Sequence, residues 1–538
     1  MLTRINASYT EALLVIEKGT PTIMPEYYSL QFTLFVIISL IIYYLSGKKS
    51  LNLQWIILLI SSLVYYSFTG VYYLIFILIT SFSIWITSIT IDHTNQEYLQ
   101  KKKSLSDRNE RRLLKSRHQK RKRICLIACL ILCLGLLAAF KYVPSSLRPI
   151  KGLLIPLGIS FYTFQSVSYL VDVYNQKYHA EKSFFRLLLF ISWFPQLVEG
   201  PINRYDSLAP QLFQQREKVN WDLFQRGLLQ IGYGFFKKLA IANLLSEVIS
   251  GSLDSVTGSI PGSVVVASIL MYSAQQYADF SGGIDIVLGV SKLYGIQMSP
   301  NFRQPYFSVS LADFWRRWHI TLGAWMRDYV FYPLALSRPI QKLGTRSGKR
   351  FGKKIGTELA AGLVNIIVFL LVGIWHGIES HYILWGLYNG IVIAVSSLLQ
   401  PTFHQLSLKL KMNTEGRGFH IFRVVRTFII VNIGWYFDRI VNLKDCMICF
   451  RNTFAHFQIS SLLPFFQTYG VVRFAIVAIA CILVFFVSAD KEHGKDVVSV
   501  VRGQHALVRY SLLTVCPLLI LYSCSIVNHP VGFMYANF

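Results

Sequence analysis

The chain is a succession of apolar stretches separated by short polar segments and two dense runs of positive charge. A helix that crosses the hydrocarbon of a bilayer needs about 20 mostly apolar residues. Stretches that approach this length lie at 30–45, 53–70, 72–91, 124–143, 153–174, 183–198, 223–245, 263–280, 358–375, 382–399, 421–435, 471–488 and 510–526. Some are expected to be broken or re-entrant. The pattern predicts an all-α polytopic membrane protein with about eleven or more transmembrane or re-entrant helices. No soluble domain can be cut from it, so residues 1–538 read as one integral membrane domain.

Composition sharpens this picture. Hydrophobic residues make up 53% and charged residues 15%, against about 25% charged in a soluble domain. That excludes a soluble globular enzyme, a disordered chain and a nucleic-acid-binding module. The net charge of +26 would suggest nucleic acid in a soluble protein. Here it is concentrated in two segments. Lys101–Arg123, inside 92–123, holds twelve Lys/Arg and two acids, and Arg338–Lys354, inside 338–357, holds seven Lys/Arg and no acid. The positive-inside rule makes both cytoplasmic loops, together with Lys48–Lys49, and puts the N-terminus outside. The same charge would attract an anionic donor or inner-leaflet lipid head groups. Met1–Thr22 is mixed polar and does not read as a cleaved signal peptide. Cys125, Cys129 and Cys133 recur on one helix face and read as packing, and the lone pair Cys446 and Cys449 does not make a metal site.

Ionisable residues inside apolar sequence carry the functional information, because each is costly in lipid. Residues 308–334 gather Asp313, Arg316, Arg317, His319, Arg327 and Asp328 among Trp315, Trp318, Trp325 and Tyr329. Read as a helix, Asp313 faces Arg316 and Arg317 at i+3 and i+4. The composition suits an interfacial element or the lining of a wet cavity. His376 ends the apolar run that begins near Leu359. A desolvated histidine prefers to be neutral and is then a competent general base. A structural histidine bonded across helices is the alternative. Gly373 and Gly377 bracket His376 at a spacing that permits close helix approach. Asp279 and Asp285 lie in an apolar stretch where Gly282-Gly283 would bend or break a helix. These carboxylates could orient a histidine, pair with an arginine or belong to structural salt bridges. No G-x-S-x-G, phosphate-binding loop, dinucleotide fingerprint or H-E-x-x-H is present.

These segments resemble the membrane-bound O-acyltransferases (MBOAT), in particular the bacterial alginate O-acetyltransferase-like branch. The resemblance rests on Phe194-Pro195-Gln196-Leu197 with Glu199-Gly200-Pro201-Ile202 and Arg204-Tyr205, and on Tyr277-Ala278-Asp279-Phe280-Ser281-Gly282 with Asp285. Asp313-Phe314-Trp315-Arg316-Arg317-Trp318-His319 then runs on to Trp325 and Arg327-Asp328-Tyr329, followed by Trp375-His376-Gly377, Trp385-Gly386 and the aromatic ending Phe533–Phe538. It covers nearly the whole chain, and the joint order and spacing are specific. It implies helices around a funnel or tunnel, His376 as the essential histidine and His319 as a second, semi-essential one. Asp279, Asp285, Asp313, Arg316, Arg317, Trp318, Trp375, Arg327 and Asp328 would support them. The implied enzyme binds no cofactor. It takes an acyl group, most simply acetyl, from a cytoplasmic thioester donor (acetyl-CoA or an acyl-carrier-protein thioester). The group passes to the hydroxyl of an extracytoplasmic cell-surface polysaccharide, or to a serine of an SGNH-type partner with its own Ser-His-Asp site. The implied location is the bacterial inner membrane, as a multi-pass protein among lipid.

Ile378-Glu379-Ser380-His381-Tyr382 departs from the branch, which usually has an aromatic residue where Ser380 stands. The long basic loop after Tyr332-Pro333-Leu334 is more like relatives in Gram-positive bacteria. D-alanyl transfer to teichoic acid is therefore a competing reading. A polysaccharide or lipid transporter without acyl chemistry is another, since broken helices and intramembrane charges suit it too.

Overall fold

The computed structural model describes residues 27, 29–47, 53–144, 155–254, 256–527 and 532. The readings placed on 1–22, Lys48–Lys49 and 533–538 lie outside these residues. Among those described the chain is helical without strands, save for one isolated bridge between Phe302 and Trp318. Six helices are long and apolar enough to cross a membrane, and several further spans expected from sequence are shorter helices. By internal packing the chain divides into two compact units, 1–228 with 287–298, and 229–286 with 299–538.

In the first unit, α1 (Leu30–Gly47), α2 (Gln54–Ser67), α3 (Leu74–Ser104) and α4 (Arg108–Tyr142) are followed by the shorter α5 (Ile159–Tyr174), α6 (Phe184–Ser192) and α7 (Tyr205–Phe213). Their exposure is inverted relative to a soluble protein. Ile37, Ile38 and Ile41 of α1 are exposed, whereas Ser81, Ser88 and Thr94 of α3 are buried. Hydrocarbon solvates the former, while Ser88 and Thr94 donate to the Trp85 and Thr90 carbonyls of their own helix and small side chains let helices approach closely. The basic stretch 101–123 is a helical hairpin formed by the end of α3 and the start of α4. Lys, Arg, Gln and Glu are good helix formers, and the side chain of Asp107 caps α4 by accepting from the Glu110 amide at 3.0 Å. The hairpin is packed as well as charged: His118 stacks on Tyr98 at 4.5 Å, and the Lys122 ammonium donates to the Tyr174 carbonyl at 2.9 Å. The Phe194–Tyr205 motif forms a buried knot. Gln196 donates to the Phe190 carbonyl, Asn203 donates to Gln196, and the Tyr205 hydroxyl donates to Glu181 at 2.7 Å.

Helix α8 (Trp221–Lys237) leads into the second unit and continues through a single π-helical turn, Lys238–Ala242, into α9 (Asn243–Leu253). Helix α10 (Gly262–Leu293) runs unbroken through Gly282-Gly283, so the helix does not break there. The physical reason is contact: a Cβ on Gly282 would sit 3.0 Å from the Gly234 carbonyl of α8, so the glycine serves close packing of two helices. The segment 308–334 breaks instead. It forms α11 (Leu311–Arg317), α12 (Ile320–Met326), a π turn at Arg327–Phe331 and α13 (Tyr332–Ala335). The break falls at His319, which holds a left-handed backbone (φ 48°, ψ 52°). The amphipathic α14 (Arg338–Phe351) turns at Gly352 (φ 94°) into α15 (Lys353–His376). Thus 338–357 consists of α14 and the first turn of α15, joined at Gly352. Helix α15 packs along α16 (Ser380–Lys409), and α17 (Arg417–Arg439), α18 (Leu443–Ala455), α19 (Leu462–Tyr469), α20 (Val471–Glu492), α21 (Val497–Arg502) and α22 (Ala506–Ile526) follow.

Candidate active site

His376 is the last residue of α15 and is 8% exposed. The sequence places it there because Gly377 ends the helix with its amide bonded back to the Gly373 carbonyl. Aromatic side chains fix the ring's orientation: Tyr382 stacks on it at 5.7 Å and Trp385 meets it edge-on at 5.3 Å. Glycines make that packing possible. A Cβ on Gly373 would collide with the Tyr382 carbonyl, and one on Gly377 with the Glu379 carboxylate and the Tyr382 ring. The close approach read from the Gly373–Gly377 spacing is present.

His319 is buried where the chain breaks between α11 and α12. Its Nδ1 lies 3.1 Å from Asn301 Oδ1, which also accepts from the Thr321 amide and hydroxyl. Phe280 packs edge-on at 4.9 Å, and the Trp375 ring lies 6.4 Å from the His319 ring and 4.8 Å from that of His376. The two histidines, 57 positions apart in sequence, thus flank one indole.

Two cavities meet at this point. The first, about 420 Å³, is largely apolar and is lined by both histidines with Trp315, Trp318, Arg316 and Arg327. The second, about 250 Å³, is lined mostly by polar and charged residues, His376 with Lys238, Tyr272, His381 and Asp438 among them. His376 lines both. It can therefore contact an apolar acyl chain on one side and a hydroxyl-bearing molecule on the other.

The remaining predicted residues divide by role. Asp279 is bound by Lys238 at 2.5 Å and lines the polar cavity. Asp285 is bound by Lys237 at 2.6 Å and by Gln230 at 2.7 Å. Both carboxylates belong to buried ion pairs, and their cations are these consecutive lysines rather than arginines of 308–334. Arg317 is tied to Asp313 at 3.2 Å, as the i+4 spacing implied, and to Glu492 of α20 at 2.8 Å. It joins elements and does not line the apolar cavity, whereas Arg316 does. Arg327 lines that cavity while bonding its neighbour Asp328 at 2.9 Å. Trp318 is buried against Phe314 and Trp435, and Trp375 separates the histidines.

Sequence reasoning passed over Lys237, Lys238, Asn301, Tyr272 and Asp438. The two lysines carried a readable signal, since adjacent ammonium groups interrupt the apolar run 223–245. Asp438 lies just past the apolar run 421–435, where a charged residue carries no such signal.

Residues 29–347 match the membrane-bound O-acyltransferase family, MBOAT. The chain is 30% identical over 485 residues to a protein of Pseudomonas syringae pv. tomato named as a probable alginate O-acetylase, covering 86% of this chain and 83% of that protein. It is 30% identical over 361 residues to the peptidoglycan O-acetyltransferase of Helicobacter pylori, with 61% and 64% covered. It is 29% identical over 300 residues to the teichoic acid D-alanyltransferase of Bacillus subtilis, with 54% and 71% covered. The transporter reading gives way to this kinship, the matched relatives being named for acyl transfer. The chain belongs to the membrane-bound O-acyltransferase family and is a multi-pass membrane acyltransferase.

Proposed function

We propose that the protein takes an acyl group, acetyl in the first instance, from a thioester on the cytoplasmic side. It transfers the group to the hydroxyl of an extracytoplasmic polysaccharide, or to the serine of an SGNH-type partner that completes the delivery. The observation that carries this reading is the position of His376, on the wall of both the apolar and the polar cavity.

The physical problem is topological. A CoA or carrier-protein thioester bears phosphates and cannot cross about 30 Å of hydrocarbon. Donor and acceptor must meet at a point reached from opposite faces. Helix α15 is 24 residues long, about 36 Å at 1.5 Å per residue, and begins at the basic end that the positive-inside rule puts in the cytoplasm. Asn365, Val368, Phe369, Val372 and His376 of this helix line the apolar cavity. That wall follows about 17 Å of the helix axis, so an extended thioester arm would run along it to His376. Arg316 and Arg327 on the same wall would supply charge-assisted bonds to donor phosphates or to the developing oxyanion.

At the junction the neutral imidazole of His376 removes the acceptor hydroxyl proton as the oxygen attacks the thioester carbonyl. The C–S bond then breaks and the thiolate takes the proton. General-base assistance of this kind is worth about 10²–10⁴-fold. His319, anchored by Asn301, faces the same apolar cavity and would orient the thioester carbonyl.

The test compares cells carrying the wild-type protein or His376→Ala at equal membrane abundance. Base-labile groups are released from purified envelope polysaccharide, and acetate and D-alanine are quantified. Loss of acetate in the variant is the expected result. Loss of D-alanine instead moves the protein to teichoic-acid chemistry, and retention of both esters sinks the assignment.

A further inference from the structure

Two side chains line both cavities among the described residues: His376 and Asp438. Asp438 lies at the C-terminal end of α17, a helix that carries neither histidine. The acyl-transfer reading above, on which this inference rests, makes His376 an imidazolium for as long as it holds the acceptor's proton. A cation formed away from bulk water needs a compensating charge. The other charged groups on the apolar wall, Arg316 and Arg327, have the wrong sign for that task. Of the two carboxylates on the polar wall, Asp279 is in an ion pair with Lys238. Asp438 is the acidic side chain common to both walls.

Its geometry suits the role. The Tyr272 hydroxyl donates to Asp438 Oδ2 at 2.6 Å, and Tyr272 is itself buried, edge-on to Trp435 at 6.0 Å. The adjacent Arg439 directs its guanidinium to Asp254 at 2.5 Å. A carboxylate offers about four lone-pair sites, of which the tyrosine engages one.

We propose that Asp438 is a positioning residue for His376: its carboxylate holds the imidazolium formed during transfer, and Tyr272 holds the carboxylate. The step balances without any proton reaching Asp438. The acceptor O–H proton passes to the imidazole, the C–O bond forms as the C–S bond breaks, and the imidazolium returns the proton to the thiolate. Asp438 lowers the energy of the charged intermediate state and fixes the ring that carries it.

The experiment uses cells producing the full chain as wild type, Asp438→Ala, Asp438→Asn, Tyr272→Phe or His376→Ala at equal membrane abundance. Alkali-released acetate and D-alanine from envelope polysaccharide are measured after growth with sodium formate, with formamide, or with neither. Formate is a carboxylate small enough for the space left by the aspartate side chain, and it does not interfere with either assay. Asp438→Ala is expected to lose at least about tenfold in ester, as for loss of one preorganised electrostatic partner. Formate is expected to restore several-fold and formamide nothing. Asp438→Asn stays low under all conditions because the site is filled by a neutral group, and Tyr272→Phe shows a smaller loss. Near-wild-type ester in Asp438→Ala overturns the proposal. So does a loss that formate does not restore, or that formamide restores equally, because a scaffold role predicts either. Ester retained in His376→Ala is a different failure, since it removes the site itself.

Discussion

Lys238 and Asp279 form an ion pair whose side chains are 1% and 2% exposed, and Lys237 and Asp285 form a second one beside it. A charge removed from water is tolerated only with its partner in place. Replacing Lys238 by Met alone should therefore lower stability by about 3–5 kcal/mol, because Asp279 is left buried without its cation. The double variant Lys238→Met/Asp279→Leu should recover most of that loss. Thermal melting of the detergent-purified protein checks this, and a double variant less stable than either single one would contradict it. Asn301 raises a similar question. One carbonyl oxygen serves the Thr321 amide and hydroxyl and meets His319 Nδ1. Asn301→Ala should cost about 1–3 kcal/mol for each buried donor left unmet. It should also reduce ester formation beyond what the drop in protein level explains. Unchanged ester per unit protein would show that the orientation of His319 is unimportant. Neither arrangement was visible in the residue order, since the partners are separated by 41 and 18 positions.

At the scale of elements, α15 and α16 bring His376 against Tyr382 and Trp385 through glycine contacts on both helices. A Cβ on Gly386 would strike the Phe369 carbonyl, and one on Gly373 the Tyr382 carbonyl. Gly373→Ala or Gly386→Ala should therefore destabilise by about 1–3 kcal/mol, as overpacking does. Ester formation should fall as well, because the ring's aromatic cradle shifts. Gly135→Ala on α4 meets nothing within 4 Å and should be neutral or stabilising by up to about 1 kcal/mol, since alanine is the better helix former. Melting curves of the three variants decide it, and equal behaviour would remove the packing argument. Local patterning could read the 373–377 spacing, but it could not tell Gly282-Gly283 as a contact from Gly282-Gly283 as a break. That distinction depends on Gly234 of α8 lying opposite. Nor could it place the break at His319, because the composition of 308–334 suits one amphipathic helix as well as two short ones.

For the whole molecule, the charge pattern predicts sidedness. The α3–α4 hairpin and the α14–α15 junction carry the positive excess, and α15 should then run to His376 on the opposite side. In a variant depleted of native cysteines, a thiol at Ser347 should react only with reagent admitted to the cytoplasm. One at Glu379 should react from outside. Labelling of both positions from one face would mean that α15 does not cross. The sequence by itself determined that the chain is a helical membrane protein, which segments are basic, that His376 and His319 are the residues to examine, and the acyltransferase kinship. Those properties are written in composition, in the length of apolar runs and in local motif spacing, and they need no knowledge of distant contacts. Only the tertiary structure decided which cation neutralises which carboxylate, that both histidines flank Trp375, and that Asp438 shares both cavity walls with His376. Pairing inside a low-dielectric interior is settled by which helices pack side by side, and residues distant in sequence become neighbours only through that packing.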